Sequence, residues 1–187
     1  KHFNWILKIV HSLISKTSPQ IYDETLEISV LSVTLAKKMG LNQNDLENIR
    51  IAALVHNIGL IGIREKLYYK SRELTNIEKL FLDSHVEKSI EWLRQFGISE
   101  DIQQIVRQHH ENYDGSGHPA GLKGNQIIVG AKIIRLVEDF IQCSKKRLYQ
   151  TIDKKSKLIK SLTPSWLVNL SSREKGRPLL GPNSNTY

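Results

Sequence analysis

Apolar positions recur at helical spacing along most of the chain. In "PQIYDETLEISVLSVTLAKKMG", Ile21, Leu26, Ile28, Val30, Leu31, Val33 and Leu35 form a broad apolar face, Asp23 and Glu24 fall in the expected first turn, and Gly40 closes the segment. "NQNDLENIRIAALVHNIG" repeats the design, with acids early and a glycine at the end. "LTNIEKLFLDSHVEKSIEWLRQFG" reads as one helix that starts at a Thr75 cap, with Glu78 in place for a capping box, and stops at Gly97. "SEDIQQIVRQHHENY" starts with Ser99 as its expected cap. "GNQIIVGAKIIRLVEDFIQCSKK" is rich in β-branched residues, so a strand competes there. Its length and the spacing of Ile133, Leu136, Val137 and Phe140 favour a helix from about Val129.

One long break interrupts this pattern, "YDGSGHPAGLKGN" over residues 113–125, where glycine and proline mark an ordered loop. Gly115 and Gly117 permit backbone conformations with positive φ, and Asp114 can fold back on backbone amides in an Asx turn. The expected fold is an all-α bundle of about five to seven helices. Residues 1–18 read as a lead-in helix, possible remainder of an upstream domain, and 19–150 as the main domain. Residues 151–187 read as a short basic helix, begun by Thr163 and Pro164, and a flexible tail.

Charge separates the tail from the rest. The chain carries a net +8, and residues 144–187 hold ten Lys/Arg against two acids, so residues 1–143 balance. This basic excess suits an anionic partner or a solvated lysine-rich face. No aromatic interleaving accompanies it, which argues against nucleic acid. No apolar run reaches the roughly 18 residues of a membrane span. The single cysteine, Cys143, fits a reducing compartment, and the cytoplasm is the expected location.

The chemistry begins at "AALVHNIGLIGI", Ala52 to Ile63, where His56 and Asn57 sit inside an apolar stretch. A buried polar pair needs partners, or it costs a few kcal/mol. The chain has seven histidines; His2 and His11 carry no partner signal, whereas His56, His85, His109 and His110 each fall near the end of an expected helix. Taken singly, each reads as a hydrogen-bonded core histidine. Together they read as a set of helix ends converging on one pocket, and imidazole is the commonest metal ligand.

The segments "HNIGLIGI", "HHENYDGSGHPAGLKGNQI" and "AKIIRLVEDF" resemble the HD-GYP family, a branch of the HD-domain metal phosphohydrolases. The resemblance runs from about Gln20 to Arg147 and is most specific over His109 to Gly124. It implies an HD-domain helical bundle with a glycine-rich loop. It further implies a cluster of divalent metals, iron or manganese, that activates water to attack a phosphodiester of cyclic di-GMP.

The resemblance carries over unevenly. It implies metal ligation by Glu24, His56, His85, His109, His110 and Glu138, the last in place of the family's Asp. A further family ligand position holds Gln20, a poor ligand. Asn57 stands where the family has a metal-bridging Asp, and Leu60 where it has a lysine that contacts the scissile phosphate; both are catalytic positions expected to be impaired. The glycine-rich loop implies a substrate or partner surface made by Asp114, Gly115, Gly117, His118 (replacing Tyr) and Pro119, joined by Arg147. In the family this loop also contacts diguanylate cyclase domains.

Three functions stay open at this stage. One is a cyclic di-GMP phosphodiesterase with one or two metals and weakened activity. Another is an inactive module, with or without metal, that binds cyclic di-GMP or a protein partner in bacterial signalling. The third is a hydrolase of a different nucleotide.

Overall fold

The computed structural model describes residues 3–61 and 74–146, all within one compact unit, Lys1–Thr151. Among the described residues it is all-α. The described residues form seven helices: α1 Phe3–Thr17, α2 Pro19–Lys38, α3 Gln43–Val55, α4 Asn76–Asp83, α5 His85–Gln95, α6 Glu100–Gln108 and α7 Val129–Lys146. Two short 3₁₀ turns, Ile58–Leu60 and Gly124–Gln126, complete it. Among the described residues no helix is long and apolar enough to cross a membrane. The expected tail helix at 163–164 and the tail beyond it lie outside the described residues.

Local chemistry explains most helix ends. Pro19 opens α2, where its missing N–H costs nothing, and its ring keeps Ser18 out of helical geometry. The helix therefore begins earlier than the charge pattern suggests. Its first turn holds no acid, and Glu24 falls one turn on, buried. Asn42 caps α3 by accepting from the Asp45 amide at 3.0 Å. Thr75 and Glu78 form the expected capping box on α4. Ser99 occupies the N-cap of α6, but its side chain makes no capping bond.

The long helix expected over residues 75–97 is in fact two, broken at Ser84. The Ser84 hydroxyl donates to the Phe81 carbonyl at 2.6 Å, and the His85 ring nitrogen Nδ1 bonds the Leu82 carbonyl at 2.6 Å. Side chains thus occupy carbonyls that the helical ladder would use, and the helix bends there. The apolar periodicity runs across the break, so it gave no warning.

The core forms where α2 packs on α3 and α7, and α3 packs on α6. Ile28, Ala36, Ile49, Ala52, Val106, Ile133 and Ile134 fill it. Val10 and Ile14 bring α1 into the same core. The 3₁₀ turn that follows α3 packs against α5. Gly59 is the contact point: a Cβ there would lie 2.1 Å from the His85 carbonyl oxygen, so only glycine fits. That approach brings the end of α3 to the start of α5.

Candidate metal centre

Every residue from Ile51 to Leu60 is buried. His56 caps the C-terminus of α3 and is fully buried; its Nδ1 bonds the Ala53 carbonyl at 2.8 Å. His109, fully buried, caps α6 in the same way through Val106, and His85, the first residue of α5, bonds the Leu82 carbonyl through its Nδ1. Three imidazoles therefore use one device: Nδ1–H donates to the carbonyl three residues earlier. This fixes the tautomer and leaves the Nε2 lone pairs of His56 and His109 free, while Nε2 of His85 faces Nε2 of His110 at 3.3 Å.

His85 and His109 share a cluster with His110. The ligand atoms of His85, His109 and His110 all lie within 4.8 Å of one another. The His56 and His109 rings stand 5.1 Å apart, edge to face. Nε2 of His56 and of His109 are buried and find no hydrogen-bond partner among the described residues. Such an acceptor normally costs about 1–3 kcal/mol. A divalent cation bound there would remove that cost, so the residues fit a metal.

Glu138 on α7 places a carboxylate beside His110. It is 3% exposed, its Oε2 has no hydrogen bond, and that oxygen lies 3.9 Å from Nδ1 of His110. Burial pushes its pKa up to about 7, with Arg135 opposing and Asp139 and Glu24 adding to the rise. Glu24 itself is buried on α2. Burial likewise drives His56 down to about 4 and holds His85, His109 and His110 below the ordinary imidazole range. The imidazoles are thus neutral at pH 7, the state in which they ligate metals.

The remaining expected positions divide. Asn57 is buried beside His56 and caps the 3₁₀ turn through its backbone carbonyl. Leu60 is 3% exposed and belongs to the apolar core. Gln20 is exposed on the first turn of α2. Arg147 lies outside the described residues.

The loop after α6 is ordered as expected, with one correction. Asp114 Oδ1 accepts from the Ser116 amide at 2.9 Å and from its hydroxyl at 2.6 Å, an Asx turn. Gly115 has φ 86°, but Gly117 does not adopt positive φ. Gly117 is needed for space instead, since a Cβ would sit 2.2 Å from the Asn112 amide nitrogen. His118 stacks on His110 with centroids 5.0 Å apart, and its Nε2 lies 3.5 Å from Asp83 Oδ1. The exposed Pro119 follows it through a cis peptide.

Three residues that shape this centre were missed by the sequence reasoning. Glu111 is 2% exposed and accepts from the amides of Ala120 at 2.7 Å and Leu122 at 2.9 Å, which fastens the loop beside His110. Its place in "HHE" was the available signal. Arg135 Nη1 stands 3.3 Å from His110 Nδ1, and its Nε 3.2 Å from Asp139. It sits one helical turn before Glu138 in "RLVE", a spacing that puts both on one face. Ser89 is fully buried; its hydroxyl donates to the His56 carbonyl at 2.8 Å and accepts from the Gly59 amide at 2.9 Å. Nothing local marks that serine.

The comparisons with known proteins agree with this architecture. The family model described as HD domain matches residues 8–164. The chain belongs to the HD-domain family, and the resemblance to its HD-GYP branch is borne out. A cyclic di-GMP phosphodiesterase of Thermotoga maritima is 29% identical over 147 residues, covering 78% of this chain and 40% of that protein. A 3′3′-cGAMP-specific phosphodiesterase of Vibrio cholerae is 27% identical over 145 residues, covering 78% of this chain and 34% of the other. The chain thus spans well under half the length of these curated relatives. An HD-GYP-type protein from Bdellovibrio bacteriovorus shares the fold, with a TM-score of 0.62 and 18% identity over 82% of this chain and 52% of that one.

Proposed function

We propose that this domain is a metal-dependent phosphodiesterase of the HD-GYP type that acts on a cyclic dinucleotide, cyclic di-GMP foremost, with activity weakened at two positions. One observation carries the reading: Nε2 of His56 and of His109 and Oε2 of Glu138 are buried without a hydrogen-bond partner among the described residues, beside a cluster in which ligand atoms of His85, His109 and His110 lie within 4.8 Å of one another. His56, His85, His109, His110, Glu24 and Glu138 would hold one or two divalent ions. Their mix of neutral nitrogen and anionic oxygen suits iron or manganese. When bound, the metal would neutralise charge on the phosphodiester and make water a nucleophile near neutral pH.

The chain's own residues supply the rest. The Nδ1–carbonyl bonds hold the rings so that each presents a lone pair. Arg135 places a permanent cation beside His110 and Glu138, where it favours both the ionised carboxylate and a bound phosphate. His118, in the position of the family's tyrosine, covers the outer face of His110 and forms one wall of a substrate approach.

Two substitutions weaken this site. Asn57 offers no anionic oxygen to bridge ions, and Leu60 offers no cation to the phosphate, a contact of about 1.5–3 kcal/mol. They also support a second reading, an inactive module that binds the cyclic dinucleotide or presents the Asp114–Pro119 loop to a protein partner such as a diguanylate cyclase domain. The two readings part in one assay. Metal-loaded protein is incubated with cyclic di-GMP, 3′3′-cGAMP and the linear dinucleotide, and products are separated by chromatography, with His109→Ala as the blank. Slow turnover above the blank supports the enzyme; saturable nucleotide binding with no turnover supports the module.

A further inference from the structure

Arg135 reaches the imidazole cluster from α7 as a permanent cation. Its Nε stands 3.2 Å from Asp139 Oδ2, one helical turn on, which holds the guanidinium in place. Its Nη1 lies 3.3 Å from His110 Nδ1. Arginine has donors only, so Nδ1 of His110 is the acceptor. The neutral His110 ring then carries its one proton on Nε2, which lies 3.3 Å from Nε2 of His85. His85 has its own proton on Nδ1, committed to the Leu82 carbonyl, so its Nε2 accepts.

One directed chain of donors therefore runs from Arg135 through His110 and His85 to the backbone. It engages both of the lone pairs that these two imidazoles would offer a metal. His56 and His109 stay outside the chain, since neither Nε2 has a partner among the described residues, and their rings stand 5.1 Å apart. Glu138 Oε2 lies 3.9 Å from the same His110 nitrogen that Arg135 contacts. The carboxylate thus has a guanidinium close by, where a second metal would otherwise balance its charge. A dication on His85 and His110 would have to break the Arg135 contact and sit against a like charge at short range.

We propose that Arg135 stands in for a second metal ion: it keeps His85 and His110 off the metal and limits the centre to one divalent ion, held at the His56–His109 end. The inference rests on the reading of this cluster as a metal centre and narrows it to a single ion. A centre with one ion has no use for a bridging acid, which accounts for the amide of Asn57 beside His56.

The test counts Mn(II) bound per chain, by equilibrium dialysis and elemental analysis, in the full wild-type chain, in Arg135→Met and in Arg135→Met combined with His110→Ala. Methionine keeps an apolar stem without the charge or the donors. In parallel, ¹⁵N NMR of the metal-free wild type reads the His110 tautomer, which needs no variant. The expected result is one ion in the wild type, two in Arg135→Met and one again in the double variant, with the His110 proton on Nε2. Two ions in the wild type, one ion in Arg135→Met, two in the double variant, or a His110 proton on Nδ1 would each overturn the inference and leave the metal centre standing. No ion in any of the three chains would overturn the metal centre itself, and the inference with it.

Discussion

The two halves of the candidate centre differ in what they have kept. The segment from His109 through the glycine-rich loop retains its paired imidazoles, Glu111 and its turn geometry. The segment from His56 to Leu60 has its imidazole and its close packing through Gly59, and under the proposed function Asn57 and Leu60 stand in the places of a bridging acid and a lysine. Both halves use the same Nδ1–carbonyl device. On the proposed reading, scaffolding and charge are separable: backbone-anchored imidazoles are present in both halves, and Asn57 and Leu60 leave one half short of charge. A site altered in this way keeps cation affinity better than catalytic power, because ligand placement depends on the scaffold and reactivity on the charge.

The sharpest way to break the comparison is to remove one imidazole from each half. His109→Ala and His56→Ala should each lower metal affinity by about 100-fold or more, read by competition with a metallochromic chelator. A loss only in His109→Ala would mean that the His56 half no longer holds metal.

Restoring the missing groups comes next in size. Leu60 is buried in the core, so Leu60→Lys should destabilise the fold by about 2–4 kcal/mol in urea melts rather than rescue activity. Asn57→Asp should raise metal occupancy and hydrolysis together. Unchanged occupancy would remove Asn57 from the centre.

The metal-free protein should show opposed pH dependences of similar size. The folded pKa of His56 is depressed from 6.5 to about 4, so its contribution is complete above pH 6.5 and is lost as pH falls toward 4, about 3 kcal/mol in all. The folded pKa of Glu138 is raised from 4.5 to about 7, so its contribution is complete below pH 4.5 and is lost as pH rises through 7. Glu138→Gln should therefore raise the melting temperature of chelator-treated protein at pH 8 and leave it nearly unchanged at pH 4.5. Equal shifts at both pH values would show that Glu138 is not held neutral by burial.

The smallest expected effect is at Ser89, which ties the His56–Gly59 turn to α5. Ser89→Ala should cost about 1–3 kcal/mol and loosen the register between His56 and His85. Its readout is metal affinity in the His56 half, with the Asp114–Ser116 turn unchanged by NMR.

What could be read in advance follows physical range. Helix ends set by neighbours in the chain were legible, as at Gly40, Gly97 and the Thr75–Glu78 box. The break at Ser84 was not, because the apolar repeat continues through it while side-chain bonds bend the backbone. The four histidines were legible as a set, since each stands at a helix end. Ser89 was not, because its partners are 30 and 33 residues away. Gly117 was legible as a glycine but for the wrong reason: a periodic pattern cannot distinguish a positive φ from a lack of room for a Cβ.

The central claim is that the imidazole cluster still holds metal. Its most direct test is metal content per chain, by elemental mass spectrometry on protein purified anaerobically without a metal-affinity tag. The account predicts at least one tightly held divalent ion per wild-type chain and none in His109→Ala. A wild-type chain that carries no metal and takes up none from added iron or manganese would contradict it.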